Sequence, residues 1–240
     1  MICGNNSTLQ TPNSTLLKGA IVIKATTANI IEELIKRYPA LEICRANLFN
    51  MVDTICECFR NGGKLLICGN GGSAADAMHI VGELMKSFRL PRRIDECNTE
   101  FINRAHELFP ADVEFFKANL QGALPAISLV GETSLLTAFA NDVTPNLVFA
   151  QQIFGLGRSG DVLLAISTSG NSDNVLFAVE VAKIKGLKVV AMTGRRGGRL
   201  RHLSDVAICV PADSSYTIQE FHLPIYHMFC LAAENEFFGD

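Results

Sequence analysis

His79 and Glu83 stand four residues apart in the stretch LLICGNGGSAADAMHIVGEL, residues 65–84. On a helix that spacing puts both side chains on one face. There an imidazole and a carboxylate can ligate a metal, act as an acid/base pair, or make an ordinary solvated contact. A second group, Gln219, His222 and His227, lies in the otherwise apolar YTIQEFHLPIYHMFCLAAENEFF. A single histidine there would be structural. Two of them, beside a glutamine and after the Asp213-Ser214-Ser215 turn, point to a polar pocket. The third group is hydroxylic: Ser167, Thr168, Ser169 and Ser172 crowd a turn that also holds Gly170 and Asn171. Hydroxyls and backbone N–H groups at a helix N-terminus converge where the helix dipole is positive, which is the chemistry of anion binding. Capping of the following helix would use only one of these hydroxyls.

The turn Gly69-Asn70-Gly71-Gly72-Ser73 invites a different reading, because Gly69-x-Gly71-x-x-Ala74 satisfies the loose dinucleotide fingerprint. That fingerprint needs an acidic residue closing the next strand, roughly 20 residues on, to hold a ribose. Here the next strand follows a long interruption and ends in Val130-Gly131-Glu132. The dinucleotide reading fails on that spacing. No GxxxxGK motif occurs either, so the anion these turns suit is a sugar phosphate rather than a nucleoside triphosphate.

The elements that must position these groups follow from the apolar pattern. Runs at 64–68, 125–130, 161–167, 188–193 and 206–211 are rich in Val, Ile and Leu without strict alternation, as strands buried on both faces read. Helical segments fall between them at 74–88, 134–140, 146–156 and 173–185, and a last helix covers 217–238. Alternating strands and crossover helices predict an α/β fold with a doubly wound, five-stranded parallel sheet. Both candidate turns then lie at the carboxyl ends of their strands, where ligands bind in open α/β sheets. Residues 17–59 read as an N-terminal helical pair broken around Pro39. The connection from Phe88 to Pro125, about 35 residues, far exceeds the usual 2–6. Its helical spacing (Phe101, Ala105, Leu108; Phe115, Phe116), interrupted by Pro110, predicts a helical insertion over 90–124.

Bulk properties bound the class. A chain of 240 residues with 48% hydrophobic and 19% charged residues is an ordinary globular protein. A net charge of −3 gives no electrostatic case for nucleic acid or an acidic membrane surface. The basic run Arg195, Arg196, Arg199, Arg201 reads as a solvated loop. Eight cysteines lack a paired CxxC spacing, and Cys68, Cys209 and Cys230 fall in core segments. Buried free thiols in a reducing compartment account for them better than disulfides. With no apolar run near the length of a membrane span and no signal-peptide pattern at the start, the expectation is a cytoplasmic protein.

GNGGSAADAMH followed by Glu83, then Asn141-Asp142, ISTSGNSDN and IQEFHLPIYH, resembles in order and content the SIS (sugar isomerase) family. Within it the chain is most similar to the phosphoheptose isomerases, which convert sedoheptulose 7-phosphate to D-glycero-D-manno-heptose 7-phosphate through an enediol. The resemblance covers residues 18–240 except the insertion, and implies one SIS domain there after a flexible N-terminal segment over 1–17. It also implies a homotetramer with active sites near subunit interfaces, a phosphorylated seven-carbon sugar as substrate, and bound zinc. Matched motif by motif, the metal ligands fall on His79, Glu83, Gln219 and His227, and the acid/base pair on Glu83 and His227. Substrate contacts fall on Asn70, Gly71, Gly72, Ser73, Glu83, Asn141, Asp142, Ser167, Thr168, Ser169, Ser172 and Gln219.

Two features depart from that pattern. Gln219 and His227 are eight apart, about 12 Å of straight helix, and Pro224 between them predicts a kink. Where many members carry an Asp-Arg-like pair before Ile-Gln, this chain has Tyr216-Thr217. With the insertion, that opens the choice of sugar more than the choice of reaction. The alternatives are an isomerase of another phosphosugar, or a non-catalytic binding protein like the SIS relatives that associate with the bacterial replication initiator. Retention of all four ligand types argues for the enzyme.

Overall fold

The computed structural model describes residues 23–239. The segment 1–17 expected to be flexible lies outside the described residues. The chain runs α1 (Ala25–Arg37), α2 (Arg45–Arg60), β1 (Leu65–Gly69), α3 (Gly72–Met85), then three short helices α4 (Ile94–Cys97), α5 (Thr99–Leu108) and α6 (Val113–Asn119). It continues β2 (Ala126–Ser128), α7 (Thr133–Asp142), α8 (Val148–Leu156), β3 (Val162–Ile166), α9 (Asp173–Ile184), β4 (Lys188–Thr193), α10 (Gly198–Leu203), β5 (Val206–Cys209) and α11 (Ser215–Phe238). All five strands pair in parallel in the order β2-β1-β3-β4-β5.

The absence of alternation in the strands has a direct cause: both faces are covered. Leu65, Ile67, Leu164, Ile166, Val190 and Met192 join one core with residues of α1, α2, α3 and α11. The interleaved Leu66, Cys68, Leu163, Ala165, Val189 and Ala191 join a second core with α8, α9 and α10. The insertion is helical, as its spacing predicts, and gathers a small core of its own from Ile94, Ile102, Ala105 and Val113.

Strand order decides where the site forms. From β1 the chain leaves to β2 on one side and then crosses to β3 on the other. Neighbouring strands therefore diverge into opposite crossovers at the carboxyl ends of β1 and β3, the usual ligand position in such sheets. The glycine turn follows β1 and the serine turn follows β3. Each needs backbone that only glycine adopts without strain: Gly71 has φ +56° and Gly170 φ +66°. Gly170 is also sterically constrained, since a Cβ there would lie 2.0 Å from the Gly197 carbonyl oxygen.

One sequence expectation changes. The basic run is not simply a loop, because Gly198–Leu203 forms α10 and buries Leu200 against the second core. A six-residue helix opened by two glycines carries too little periodicity to be read from spacing. Its arginines do face solvent, with Arg195 paired to Asp213 at 3.0 Å and Arg199 to Glu180 at 3.5 Å. Among the described residues no helix is long and apolar enough to cross a membrane.

Candidate active site

Helices α3 and α11 both follow parallel strands and pack side by side in the same direction. Their contacts keep a nearly constant offset: Gly72 meets Gln219, His79 meets Tyr226, and Phe88 meets Glu234. This register brings His79 and Glu83 against His227. His79 Nε2 lies 3.0 Å and His227 Nε2 3.3 Å from the same Glu83 oxygen, Oε1. The two imidazole rings stand at 80° with centroids 5.3 Å apart. Glu83 is buried, while the His79 and His227 side chains keep 49% and 36% of their surface exposed. An incoming molecule can therefore reach both rings.

The surroundings of Glu83 are polar on one side only. Its Oε2 is buried without a hydrogen-bond partner. The buried Cys230 thiol beside it is pushed well above its ordinary range by burial and by the carboxylate. Burial and the Asp76 and Glu83 carboxylates likewise raise the Tyr226 phenol, which stays protonated. Behind Glu83, the buried Arg92 donates to the Glu83 and Leu84 carbonyls at 3.1 and 2.7 Å and pairs with Glu234 at 2.8 Å. That cross-link holds the C-terminal end of α3 against α11.

The donor set fits a divalent cation. One carboxylate oxygen and two imidazole nitrogens lie within 4.8 Å of one another, and these are ligand types that zinc takes. The unpartnered Oε2 costs free energy where it stands, and a cation would satisfy it. Gln219 is the fourth residue expected at the metal. Its amide presses on Gly72, about two helical turns from His79, and α11 runs through Pro224 as one helix.

The serine turn forms a compact hydroxyl cluster. Ser167 Oγ and Ser172 Oγ are 3.1 Å apart, Thr168 Oγ1 donates to Ser215 Oγ at 3.3 Å, and the Asn171 N–H donates to Ser169 Oγ at 3.1 Å. Between this turn and the glycine turn lies a reciprocal amide pair that sequence reasoning missed. Asn70 and Asn174 each donate to the other at 2.9 and 3.0 Å. The pair ties the β1 turn to the start of α9 beside a cavity of about 380 Å³ that Gly69, Gly71 and Ala74 also line. Only strand adjacency could have revealed it. Ser73 is buried beneath this turn, packed against Gly69. Asn141 and Asp142 sit exposed at the end of α7 and bond each other at 2.8 Å, next to Ala140, which lines the cavity. His227 opens instead into a groove of about 610 Å³ between α1 and α11, where Arg37, Arg89 and Glu220 also lie. The hydroxyl and amide groups thus gather at one end of α3 and the imidazole–carboxylate cluster further along it.

Comparison with known proteins accords with this fold. Residues 31–99 and 102–194 match the SIS domain family. The phosphoheptose isomerase of a Nitratiruptor species is 42% identical over 184 residues, covering 76% of this chain and 83% of that protein. That of Helicobacter pylori is 41% identical over 198 residues, covering 82% and 88%. Among solved structures, a phosphoheptose isomerase from Neisseria gonorrhoeae superposes with a TM-score of 0.66 at 33% identity, covering 88% of this chain and 97% of that one.

Proposed function

Because this chain belongs to the SIS domain family and, within it, to the phosphoheptose isomerases, we propose that it converts sedoheptulose 7-phosphate to D-glycero-D-manno-heptose 7-phosphate, with Glu83 and His227 as its acid/base pair. Membership makes the chain an enzyme, an isomerase. The observation that carries the finer reading is the convergence of His79, Glu83 and His227, two of them on α3 and one on α11.

The reaction moves one proton between neighbouring carbons. A base takes a proton from C1 of the ketose, the electron pair forms an enediol, and a proton returns at C2 while a hydroxyl proton passes from O1 to O2. Two proton carriers are needed, one for carbon and one for oxygen. Glu83 Oε1 and His227 Nε2, 3.3 Å apart, are close enough to serve one substrate. His79, Glu83 and His227 would hold zinc, with Gln219 as the fourth ligand the resemblance implies, all but the amide being ligand types that zinc sites commonly use. When bound, zinc supplies a Lewis acid that polarises a carbonyl oxygen.

The serine turn is the phosphate cradle in this reading, with Ser167, Thr168, Ser169 and Ser172 as donors around the start of α9. Asn70, Gly71, Gly72 and Ser73 shape the adjacent wall, Asn141 and Asp142 flank it, and Gln219 reaches it through its contact with Gly72. An open-chain sugar phosphate carries its reacting carbons at the end away from the phosphate. The separation of the two clusters along α3 suits such a ligand. The working unit in this reading is a homotetramer. Exposed apolar side chains such as Phe154 and Ile184, 66% and 84% accessible in the single chain, are surface of the kind such contacts cover.

Glu83→Gln and His227→Asn test the acid/base assignment. Each should abolish turnover while the far-ultraviolet circular dichroism and the unfolding transition stay in place. Near-normal turnover in either variant removes that residue from the pair. Ser169→Ala should raise KM with kcat little changed, and an unaltered KM would remove Ser169 from the cradle.

A further inference from the structure

The carboxamides of Asn70 and Asn174 bond each other twice: Asn70 Nδ2 donates to Asn174 Oδ1 at 2.9 Å, and Asn174 Nδ2 to Asn70 Oδ1 at 3.0 Å. Asn70 directly follows β1, and Asn174 is the second residue of α9. Both line the cavity of about 380 Å³, and they are its only lining residues with polar side chains. The others are glycine, alanine, proline and larger apolar residues such as Leu136 and Phe149. Side-chain hydrogen bonding to a molecule in that cavity therefore falls to this pair. An asparagine amide has two N–H donors and an oxygen with two lone pairs. The pairing uses one donor and one lone pair of each, so each carboxamide keeps one of both for a ligand. Such an edge is uncharged, and a sugar hydroxyl, which both donates and accepts, complements it.

We propose that Asn174 is a positioning residue for sugar recognition: its reciprocal bonds hold the Asn70 carboxamide with one N–H and one carbonyl lone pair set for substrate hydroxyls. The inference rests on the reading above that Asn70 meets the substrate, and Asn174 acts through it. By itself the terminal torsion of an asparagine is broad and two-fold. In the pair neither amide can turn over alone, because oxygen would then face oxygen and N–H would face N–H. The edge that reads hydroxyls is thus ordered before the ligand arrives, which lowers the cost of binding.

Position 174 isolates the effect. Alanine there suits the helix and removes only the carboxamide. The serine-turn hydroxyls have other partners: Ser167 and Ser172 bond each other, Thr168 bonds Ser215, and Ser169 accepts from the Asn171 N–H. Anion binding at that turn and hydroxyl binding at the amide pair are therefore separable.

The experiment has three readouts on the full chain. In protein labelled with nitrogen-15, the Asn70 side-chain amide protons should exchange with solvent faster in Asn174→Ala than in wild type. In turnover of sedoheptulose 7-phosphate, Asn174→Ala should raise KM about 5–10-fold with kcat little changed, while calorimetry finds its affinity for inorganic phosphate unaltered. In a double-mutant cycle, Asn70→Ala with Asn174→Ala should be no worse in KM than Asn70→Ala alone, since position 174 acts only through position 70. Asn174→Ser, too short to span the pair, carries the test if Asn174→Ala does not fold. An unchanged KM in the folded variant, additive losses in the cycle, or phosphate affinity falling in step with KM overturns the proposal. A wild type that neither binds nor converts sedoheptulose 7-phosphate sinks the functional reading instead. Exchange at Asn70 then decides the pair by itself, and an unchanged rate in Asn174→Ala overturns it.

Discussion

Replacing Arg92 with methionine should destabilise the protein by about 3 kcal/mol, even though no active-site side chain changes. The guanidinium side chain is 0% exposed and Glu234 is 1% exposed. Removing one partner of such a pair costs roughly 3–5 kcal/mol, because the other charge stays buried. Glu234 also accepts from the Phe88, Arg89 and Leu90 backbone N–H groups at 2.8, 2.9 and 3.0 Å. Those donors hold its charge after Arg92 is gone, which puts the loss at the low end. In a chain of this length about 3 kcal/mol lowers Tm by roughly 6–12 °C.

The double variant Arg92→Met with Glu234→Leu makes the sharper test. An isolated buried ion pair can be exchanged for apolar residues at little cost. Here the exchange leaves three backbone donors unpaired, at about 1–3 kcal/mol each. The double variant should therefore stay at least about 3 kcal/mol below wild type. Urea unfolding followed by circular dichroism, at one fixed protein concentration, measures both. A double variant as stable as wild type would refute the reasoning and reduce Glu234 to a simple counter-ion.

Other expectations follow from the same structure. Burial lowers the His222 imidazole from 6.5 to about 4, partly offset by the Thr193 backbone. The unfolded chain then binds the extra proton first, so stability contributed by neutral His222 is intact above about pH 6.5 and is lost toward pH 4, to a total of about 3 kcal/mol. His222→Phe should flatten that part of the stability–pH curve relative to wild type, and parallel curves would contradict it. Gly170→Ala should weaken binding of inorganic phosphate and destabilise the chain, since its Cβ would meet the Gly197 carbonyl oxygen at 2.0 Å. Gly62→Ala, with φ +73° but nothing within 4 Å, should cost only about 1 kcal/mol and leave phosphate binding alone. Equal effects of the two substitutions would contradict the packing argument.

Much of this architecture is legible in the chain because buried strands and crossover helices are set by local apolar pattern. Leu65–Gly69 and Val162–Ile166 are unmistakable runs, and His79 and Glu83 share a face by spacing alone. Proximity between distant segments is another matter. Asn70 and Asn174 meet because β1 and β3 are neighbours, an outcome of strand order that neither turn encodes locally. Tyr226 reads as a member of an ordinary helix until the α3–α11 register sets its hydroxyl 2.9 Å from His79 Nδ1. The cysteines behaved largely as burial predicts: Cys68 and Cys230 are inside and free, Cys209 is half-buried, and burial pushes the Cys68 thiol up to about 12. The strand expected at 125–130 shortens to Ala126–Ser128, since an edge strand has one neighbour to fix its ends.

The central claim is proton transfer at the His79–Glu83–His227 cluster on a phosphorylated seven-carbon ketose. Its most direct test is nuclear magnetic resonance of sedoheptulose 7-phosphate incubated in deuterated water with zinc-loaded and with metal-stripped protein. The account predicts aldose formed only by the zinc-loaded protein, with deuterium at C2, because the enediol takes its returning proton from groups that exchange with solvent. No conversion by folded, zinc-loaded protein, or aldose that carries no solvent deuterium, would contradict it.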